Sequence, residues 1–463
     1  DTDGHIAFYG ASGSGKTTAL RSLAIAAGIT PSSGPVNVYA LDFAGGGLDM
    51  LKKLPSVGNV IQGDDEERIA KLIDFLGSIV DERSVSYKAV NASHLTSYRE
   101  LSGKQDEPRY LVLIDGIATF AETYQLVGRH AKIWSRFQQI LSDGREVGVH
   151  FAVSADRPQA IPNSIAASFQ RKVVLRLTDE DAYLYFNLPR DVLSASSAPG
   201  RAMQVGNPNL LQLPILGRNV TDYDQAREIE SLAGASFMRR RTRPTPIRSL
   251  PLDIPEREVD RVVEGRPVIG VEAGSLAPMP LRPGGTFAIT GPAQSGRTNT
   301  VRWLARSVHS AFPNAVMLHA CARRSLVARE PLWTETAQGA DKIASMLAKH
   351  GHLFEEEAPE TTPGVVLFVE GIGEFSFSAC DQQLQDAIAS AKANGHLVVA
   401  EADVSGWSFG GSLASGVRSG RTGIVLCPSP GEGENAVGVP VPGIFGAEAV
   451  PGRGYFVQSG KQW

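Results

Sequence analysis

Two nine-residue segments of the chain carry the pattern of a phosphate-binding loop. The first, GASGSGKTT at residues 10–18, satisfies G-x-x-x-x-G-K-[ST]. In this pattern glycines let backbone N–H groups turn towards a phosphate, the lysine reaches the β- and γ-phosphates, and the hydroxyl binds Mg²⁺. We therefore predict an ATP·Mg²⁺ site, with Thr17 as a metal ligand, made by Gly10, Ala11, Ser12, Gly13, Ser14, Gly15, Lys16, Thr17 and Thr18.

An acid at the end of a neighbouring strand completes such a site, because it holds Mg²⁺ through water. Asp115 follows the apolar run YLVLI (110–114) and fits this role as metal-binding and catalytic residue. Translocating P-loop ATPases usually place a glutamate next, to polarise the attacking water. Gly116 stands there instead, and Glu122 lies on a different predicted element. We expect the first site to bind ATP and to hydrolyse it slowly.

The second segment, GPAQSGRTN at residues 291–299, keeps the frame but carries arginine in place of lysine. A planar guanidinium is bulkier than an ammonium and does not enter the loop in the same way. The strand-end acid is glutamate, one methylene longer than aspartate, and it is again followed by glycine. The candidate nucleotide contacts are Gly291, Gly296, Arg297, Thr298, Asn299 and Glu370. The sequence leaves two alternatives open for the second loop. It binds nucleotide weakly, or it keeps the fold of the loop with its chemistry lost.

The elements around the two loops repeat in the same order. Short apolar strands precede the loops (5–10 and 286–291), and segments with apolar residues at helical spacing follow them. Strand and helix alternate through both halves, which predicts α/β architecture: two tandem P-loop domains of the RecA-like or FtsK type, each a mostly parallel sheet with helices on both faces. We predict domains at 1–248 and 249–463.

The segments between these elements give three further expectations. The proline-rich, charged stretch 239–267 is predicted to be a connector and not a packed element. Residues 268–285 are predicted to form a small hairpin that leads into the second loop. The glycine-rich stretch GGSLASGVRSGRTG at 410–423 is interpreted as a loop.

Composition restricts the class of protein. The chain has 463 residues, 42% of them hydrophobic, so one hydrophobic core is too few. The net charge of −4 gives no bulk attraction to nucleic acid or anionic lipid. The three cysteines are widely spaced, which disfavours a disulfide framework or a zinc site. No apolar run approaches the roughly 20 residues that span a bilayer.

Several segments of the first half resemble one family. LDFAGGGLDML (41–51), VLIDGIATF (112–120), GREVGVHFAVSADRP (144–158) and PGRAMQV (199–205) are similar to FtsK/SpoIIIE-type ATPase domains, in particular to ATPase domains 2 and 3 of the EccC/EssC family of type VII secretion systems. In that family a polar residue at the end of the fourth strand senses the γ-phosphate. The matching stretch here is 154–158, Ser-Ala-Asp-Arg-Pro.

The resemblance implies a function as well as a fold. It implies cytoplasmic domains of a protein anchored in the cell membrane by a segment outside this sequence. It implies ATP and Mg²⁺ as cofactors, with WXG100-type export substrates recognised through a C-terminal signal, by a pocket expected on the last domain. Other ATPase domains and membrane components are the implied partners, in a possible hexamer. Arginine fingers act across ring interfaces, and the candidates are Arg145 and Arg171 in the first half and Arg418 and Arg421 in the second.

Two other functions compete with a weakly active or inactive secretion ATPase. One is a DNA translocase of the FtsK kind, which the sequence pI near 6.2, the missing glutamate and the absence of a winged-helix DNA reader disfavour. No specific nucleic acid is therefore expected. The other is a binding scaffold without catalysis, in which Lys16→Ala lowers stability and leaves partner binding unchanged.

Overall fold

The computed structural model describes residues 4–29, 34–125, 128, 130–235, 243–359, 361–444 and 449–462. The chain folds into two compact units, Asp1–Ser249 and Leu250–Trp463. Within these described ranges, each unit is built on an eight-stranded sheet that is mostly parallel. No helix among the described residues is both long enough and apolar enough to cross a membrane.

The sheet of the first unit has the order β3-β2-β4-β5-β1-β6-β7-β8. Strands β1 to β6 pair in parallel, and β7 and β8 continue the sheet antiparallel. All six parallel strands therefore end at one edge, where the phosphate loop follows β1. The strands are Ile6–Tyr9, Val36–Asp42, Val57–Gln62, Arg109–Asp115, Val149–Ala155, Arg171–Leu175, Arg201–Gln204 and Asn207–Gln212.

Helices cover both faces of this sheet. In β2, Tyr39 and Leu41 point into one core, and Val38 and Ala40 point into the other, as the period of two requires. Helices α2 to α6 pack on the first face, and α1 and α7 pack on the second. Helices α1 to α7 are Lys16–Ile29, Glu66–Ala89, Leu95–Ser102, Ile117–Tyr124, Ala131–Asp143, Asn163–Ala166 and Asp222–Ala233.

The second unit repeats this plan with the order β14-β13-β15-β16-β12-β17-β18-β19. A separate three-stranded sheet, β11-β10-β9, precedes it in the chain. The strands β9 to β19 are Val262–Val263, Arg266–Val271, Pro278–Pro280, Gly285–Thr290, Val316–Cys321, Glu335–Gln338, Val365–Glu370, Leu397–Glu401, Gly423–Leu426, Gly454–Gln458 and Lys461–Gln462. The predicted fold class, two tandem domains with mostly parallel sheets, is confirmed.

Helices again cover both faces in the second unit. The helix after the second loop, α8, packs on one face together with side chains of β10 and of the segment before β12. The remaining helices pack on the other face. Helices α8 to α13 are Arg297–Ala311, Ala340–His350, Asp381–Asn394, Val404–Phe409, Gly411–Arg418 and Glu434–Val437.

The structure corrects two expectations about the segments between elements and confirms a third. The stretch 410–423 is not a loop: it contains helix α12, whose Leu413 and Val417 are buried. The stretch 239–267 is more than a connector, because the Thr245 carbonyl accepts from Tyr39 Oη at 2.6 Å and β9 pairs with β10. Residues 239–242 lie outside the described part. The hairpin predicted at 268–285 is present as β10 and β11.

Candidate functional site

The first loop connects β1 to α1 and has no room for side chains at two glycines. A Cβ on Gly10 would lie 2.4 Å from Ser14 Oγ, and one on Gly15 would lie 2.9 Å from Gly200 N. Gly13 and Gly15 have φ of +68° and +106°, in the range that glycine adopts without strain. The loop therefore has the backbone that a phosphate nest requires.

Lys16 lies inside this loop. Its Nζ donates to Gly10 O at 2.7 Å and to Ala11 O at 3.0 Å. Burial lowers the pKa of Lys16, and the charges of Asp115 and Asp156 oppose this shift. The ammonium is thus positioned at the mouth of the nest, where it meets the β- and γ-phosphates in proteins with this loop.

Asp115, at the end of β4, contacts both the start of α1 and strand β5. Thr17 Oγ1 donates to Asp115 Oδ2 at 2.7 Å, and Ser154 Oγ donates to Asp115 Oδ1 at 2.5 Å. The residue Asp115 is only 1% exposed. A buried carboxylate beside a threonine hydroxyl fits a hard cation such as Mg²⁺, which prefers oxygen ligands. The structure brings Thr17 and Asp115 together, and their role in binding Mg²⁺ stays a prediction.

The backbone at the position after Asp115 disfavours a glutamate. Gly116 has φ of +89°, and a Cβ there would lie 3.2 Å from Phe43 Cβ. Its N–H donates to Ser154 Oγ at 2.8 Å, which fixes the turn. The exposed carboxylate of Glu122 lies on helix α4 and is 3.9 Å from Arg157 Nη2.

Asp42 is a residue that sequence reasoning missed. It ends β2 directly beside Asp115 in the parallel register. Its carboxylate accepts from Ala44 N at 3.0 Å, Gly46 N at 3.2 Å and Leu48 N at 2.8 Å, so it shapes the glycine-rich segment after β2. An acid followed by three glycines was the available signal, because such a segment needs an acceptor for its N–H groups.

Arg176 is a second residue that was missed. It follows β6, and its Nη2 donates to Gly13 O at 2.9 Å while Nη1 donates to Ser197 O at 3.0 Å. The guanidinium therefore ties the tip of the loop to the segment before β7. Sequence spacing gave no signal for this contact, because it depends on the pairing of β6 beside β1.

The two candidate arginine fingers of the first unit lie at the amino ends of the parallel strands, whereas the phosphate loop lies at their carboxyl ends. Arg171 begins β6 and pairs with Ile6, at the amino end of β1. Arg145 Nη1 donates to Gln170 Oε1 at 3.3 Å, close to the same end. A finger acts on the site of a neighbouring domain, so their role stays a prediction.

The second loop keeps the backbone of the first with less suitable residues. A Cβ on Gly296 would lie 2.7 Å from Gly452 N, and one on Gly291 would lie 2.5 Å from Ser295 Oγ. Gln294 occupies the place of Gly13 and has φ of +63°, a conformation that is strained for a residue with a Cβ. The loop fold is thus maintained in spite of the substitutions.

The charged groups of the second loop are paired within the protein. Arg297 Nη1 donates to Glu401 Oε1 at 2.5 Å. Glu370 Oε1 accepts from Ser325 Oγ at 2.5 Å and lies 2.8 Å from His319 Nε2. Burial raises the pKa of Glu401, an effect that Arg297 opposes and Glu370 reinforces. The exposed Thr298 and Asn299 lie at the start of α8.

A cavity of about 540 Å³ lies beside α8 within the second unit. Its lining is mixed, with apolar side chains and several charged ones; the apolar part includes Leu250, Ile254, Met279, Trp303, Ile424 and Phe456. The segment at 250–256 forms one wall. It is held by Arg453 Nη2, which donates to Leu250 O at 2.8 Å, and by the ion pair of Arg306 with Glu256 at 3.0 Å.

The cavity adjoins the second loop. Gly452 N donates to Ser295 O at 2.8 Å, and both Gly452 and Thr300 of α8 line the cavity. The volume of the cavity is in the range of ligand sites, and its lining is more polar than is usual for them. The family resemblance implies a recognition pocket on the last domain but assigns no residues to it.

The chain is similar in sequence to known secretion proteins. The FtsK/SpoIIIE family matches residues 1–203. The ESX secretion system protein YukB of Bacillus subtilis is 24% identical over 99% of this chain and 32% of its own length. The ESX-1 secretion system protein EccCb1 of Mycobacterium tuberculosis is 24% identical over 66% of this chain and 54% of its own length. The chain thus spans about a third to a half of these relatives.

Two solved structures have the same fold. EssC (ATPases 2 and 3) from Geobacillus thermodenitrificans matches with a TM-score of 0.77 and 21% identity, over 100% of this chain and 90% of that one. Thermomonospora curvata EccC (ATPases 2 and 3), in complex with a signal sequence peptide, matches with a TM-score of 0.58 and 21% identity, over 99% and 87%. The resemblance to these tandem ATPase domains is confirmed.

Proposed function

Because residues 1–203 match the FtsK/SpoIIIE family and the chain resembles EssC and EccC, we propose that it is the ATP-binding tandem module of a type VII protein-secretion motor. The first unit holds ATP·Mg²⁺ and hydrolyses it slowly or not at all. The second unit engages the export substrate. One observation carries the nucleotide assignment: Lys16 contacts the glycine-rich loop, and Thr17, the next residue, donates to Asp115.

The residues of the first loop account for nucleotide binding by their positions. Backbone N–H groups of the loop and the start of α1 attract phosphate oxygens, and Lys16 adds a positive charge. Thr17 and Asp115 would hold Mg²⁺, which neutralises charge between the β- and γ-phosphates when bound. Gly116 leaves the attacking water without the usual carboxylate, which supports slow turnover.

Nucleotide content after purification tests this assignment. The protein is purified without added nucleotide and denatured, and the released adenine nucleotide is quantified beside a steady-state ATPase assay. We expect about one ATP per chain with negligible turnover. The Lys16→Ala chain should release none. Released ADP with measurable turnover would contradict the slow-hydrolysis part, and an equal yield from Lys16→Ala would contradict the assignment of the site.

The cavity beside α8 supports the substrate-binding part of the proposal. A C-terminal signal of a WXG100-type substrate is a short peptide segment, and the cavity is lined by apolar side chains, Trp303 among them, together with charged ones. The T. curvata EccC structure contains a signal sequence peptide, which makes a peptide the natural occupant to test. Tryptophan is among the side chains that contribute most to such contacts.

Replacement of Trp303 tests the pocket. In fluorescence anisotropy with a labelled C-terminal signal peptide, Trp303→Ala should lose about 2 kcal/mol of binding free energy, roughly 30-fold in Kd. Trp333→Ala is the matched control, because Trp333 is also half-buried in the second unit but does not line the cavity. Equal losses in both variants would contradict the pocket assignment. Unchanged peptide affinity in Lys16→Ala would show that binding does not depend on the first site.

A further inference from the structure

The two units can be aligned residue by residue at the strand beside each loop. Ser154 of β5 pairs with Phe8, two residues before Gly10, and Glu401 of β16 pairs with Ile289, two residues before Gly291. Both side chains accept from the glycine after the strand-end acid: Gly116 N donates to Ser154 Oγ, and Gly371 N donates to Glu401 Oε2 at 3.2 Å. Glu401 is therefore the counterpart of Ser154.

This exchange changes the charge at the centre of the site. In the first unit Ser154 donates to Asp115, and Lys16 donates to two carbonyls of its own loop. In the second unit the longer, charged Glu401 reaches the loop cation, and its carboxylate lies 2.5 Å from Arg297 Nη1. The side chain of Glu401 is 13% exposed, so water screens this pair weakly.

The strand-end acid of the second site is also engaged elsewhere. Glu370, the counterpart of Asp115, is turned towards Ser325 and His319. His319 is fully buried and stacks on Trp333 with ring centroids 4.8 Å apart. Thr298 is exposed, whereas Thr17 donates to Asp115 in the first unit. The hydroxyl–carboxylate pair of the first site is thus replaced by an internal network.

We infer that Glu401 is a built-in anion for the second phosphate loop, occupying the place of a nucleotide's terminal phosphate. The loop is then held in its folded form by a carboxylate of the same chain, and MgATP is excluded by competition for Arg297. The inference goes beyond the proposed function, because it assigns the ligand of the second loop.

The experiment uses the whole chain with the first site silenced by Lys16→Ala. Binding of MgATP and of pyrophosphate is measured by isothermal titration calorimetry. The Lys16→Ala chain should bind neither at millimolar concentration. Adding Glu401→Ser, which introduces the residue of the first unit, should create one site per chain with a Kd at least about tenfold below the millimolar concentration at which the Lys16→Ala chain binds neither ligand, since the competing carboxylate is removed. Arg297→Lys in addition should strengthen ATP binding further.

Matched controls keep the test decisive. Glu374→Ser removes an exposed acid that pairs with Arg323 in the same unit, and it should create no site. Glu401→Gln keeps the side-chain shape but not the charge, so the melting temperature of the second unit should rise with pyrophosphate, as it should not in the parent. One ATP per Lys16→Ala chain, lost on Arg297→Ala, would overturn the inference. So would folded Glu401 variants that respond to neither ligand.

Discussion

Lys16 and Arg297 carry the same charge but have different neighbours. Lys16 contacts loop carbonyls and stands near Asp115, whereas Arg297 is paired with a buried carboxylate. The side chain that decides the difference is Ser154 in one unit and Glu401 in the other. The chemistry of each loop is therefore set by a residue on a strand distant in sequence, which the loop pattern alone does not contain.

Buried histidines at the amino end of β1 give a pH prediction. His5 accepts from Phe151 N at 3.0 Å through Nδ1, and its Nε2 lies 2.8 Å from Leu141 O, so its neutral form is required. Burial lowers the pKa of His5 and lowers that of His150 to about 4. Below pH 6.5 the unfolded chain binds these protons and the folded chain does not. Stability present above pH 6.5 is therefore lost as pH falls towards 4.

The expected slope is at most about 1.4 kcal/mol per pH unit for each histidine. Urea unfolding followed by Trp134 fluorescence, in the first unit, measures it at roughly pH 7.5, 6 and 5. His150→Gln should give a shallower dependence, and His352→Gln in the second unit should leave it unchanged. A free energy of unfolding that is flat across this range would contradict the prediction.

At the scale of elements, the turn after β4 limits what can be engineered. Gly116→Glu would place the missing carboxylate in the chain, but the backbone there has φ of +89° and Phe43 lies close. We expect a loss of about 1–3 kcal/mol in the free energy of unfolding and no gain in ATPase activity. Chemical denaturation and a phosphate-release assay measure the two effects.

Gly103→Ala is the control for backbone strain alone. Gly103 also has a left-handed φ, +74°, but a Cβ there would have open space around it. It should cost about 1–2 kcal/mol without changing nucleotide binding. If Gly116→Glu were as stable as the parent and hydrolysed ATP faster, the turn would not be the obstacle we describe.

The secondary-structure elements differ in how far the sequence alone could predict them. The loops, the strand-end acids Asp115 and Glu370, and the alternation of strand and helix were readable, because local periodicity and spacing determine them. Helix α12 was not, because its glycines favour a loop locally and the burial of Leu413 and Val417 overrides them. The motif predicted that Thr17 and Asp115 belong to one site. The pairing of Arg297 with Glu401 could not be predicted in this way, because it depends on the register of β16 beside β12.

For the whole molecule, two units with separate cores predict two responses to nucleotide. ATP at 100 times its Kd should stabilise the first unit by about 2.7 kcal/mol and leave the second unchanged. Trp134 is the tryptophan of the first unit, and Trp303, Trp333, Trp407 and Trp463 belong to the second. Urea unfolding of single-tryptophan variants, with and without MgATP, measures each. Equal stabilisation of both reporters would contradict a single functional nucleotide site.

The covalent attachment of Glu401 has a consequence for the cell. A diffusible ligand leaves its site when its concentration falls, but a tethered carboxylate has the same effective concentration at every ATP level. The second unit, with its pocket, would then have the same shape in a starved cell as in a growing one. Only the first unit would respond to a change in ATP concentration.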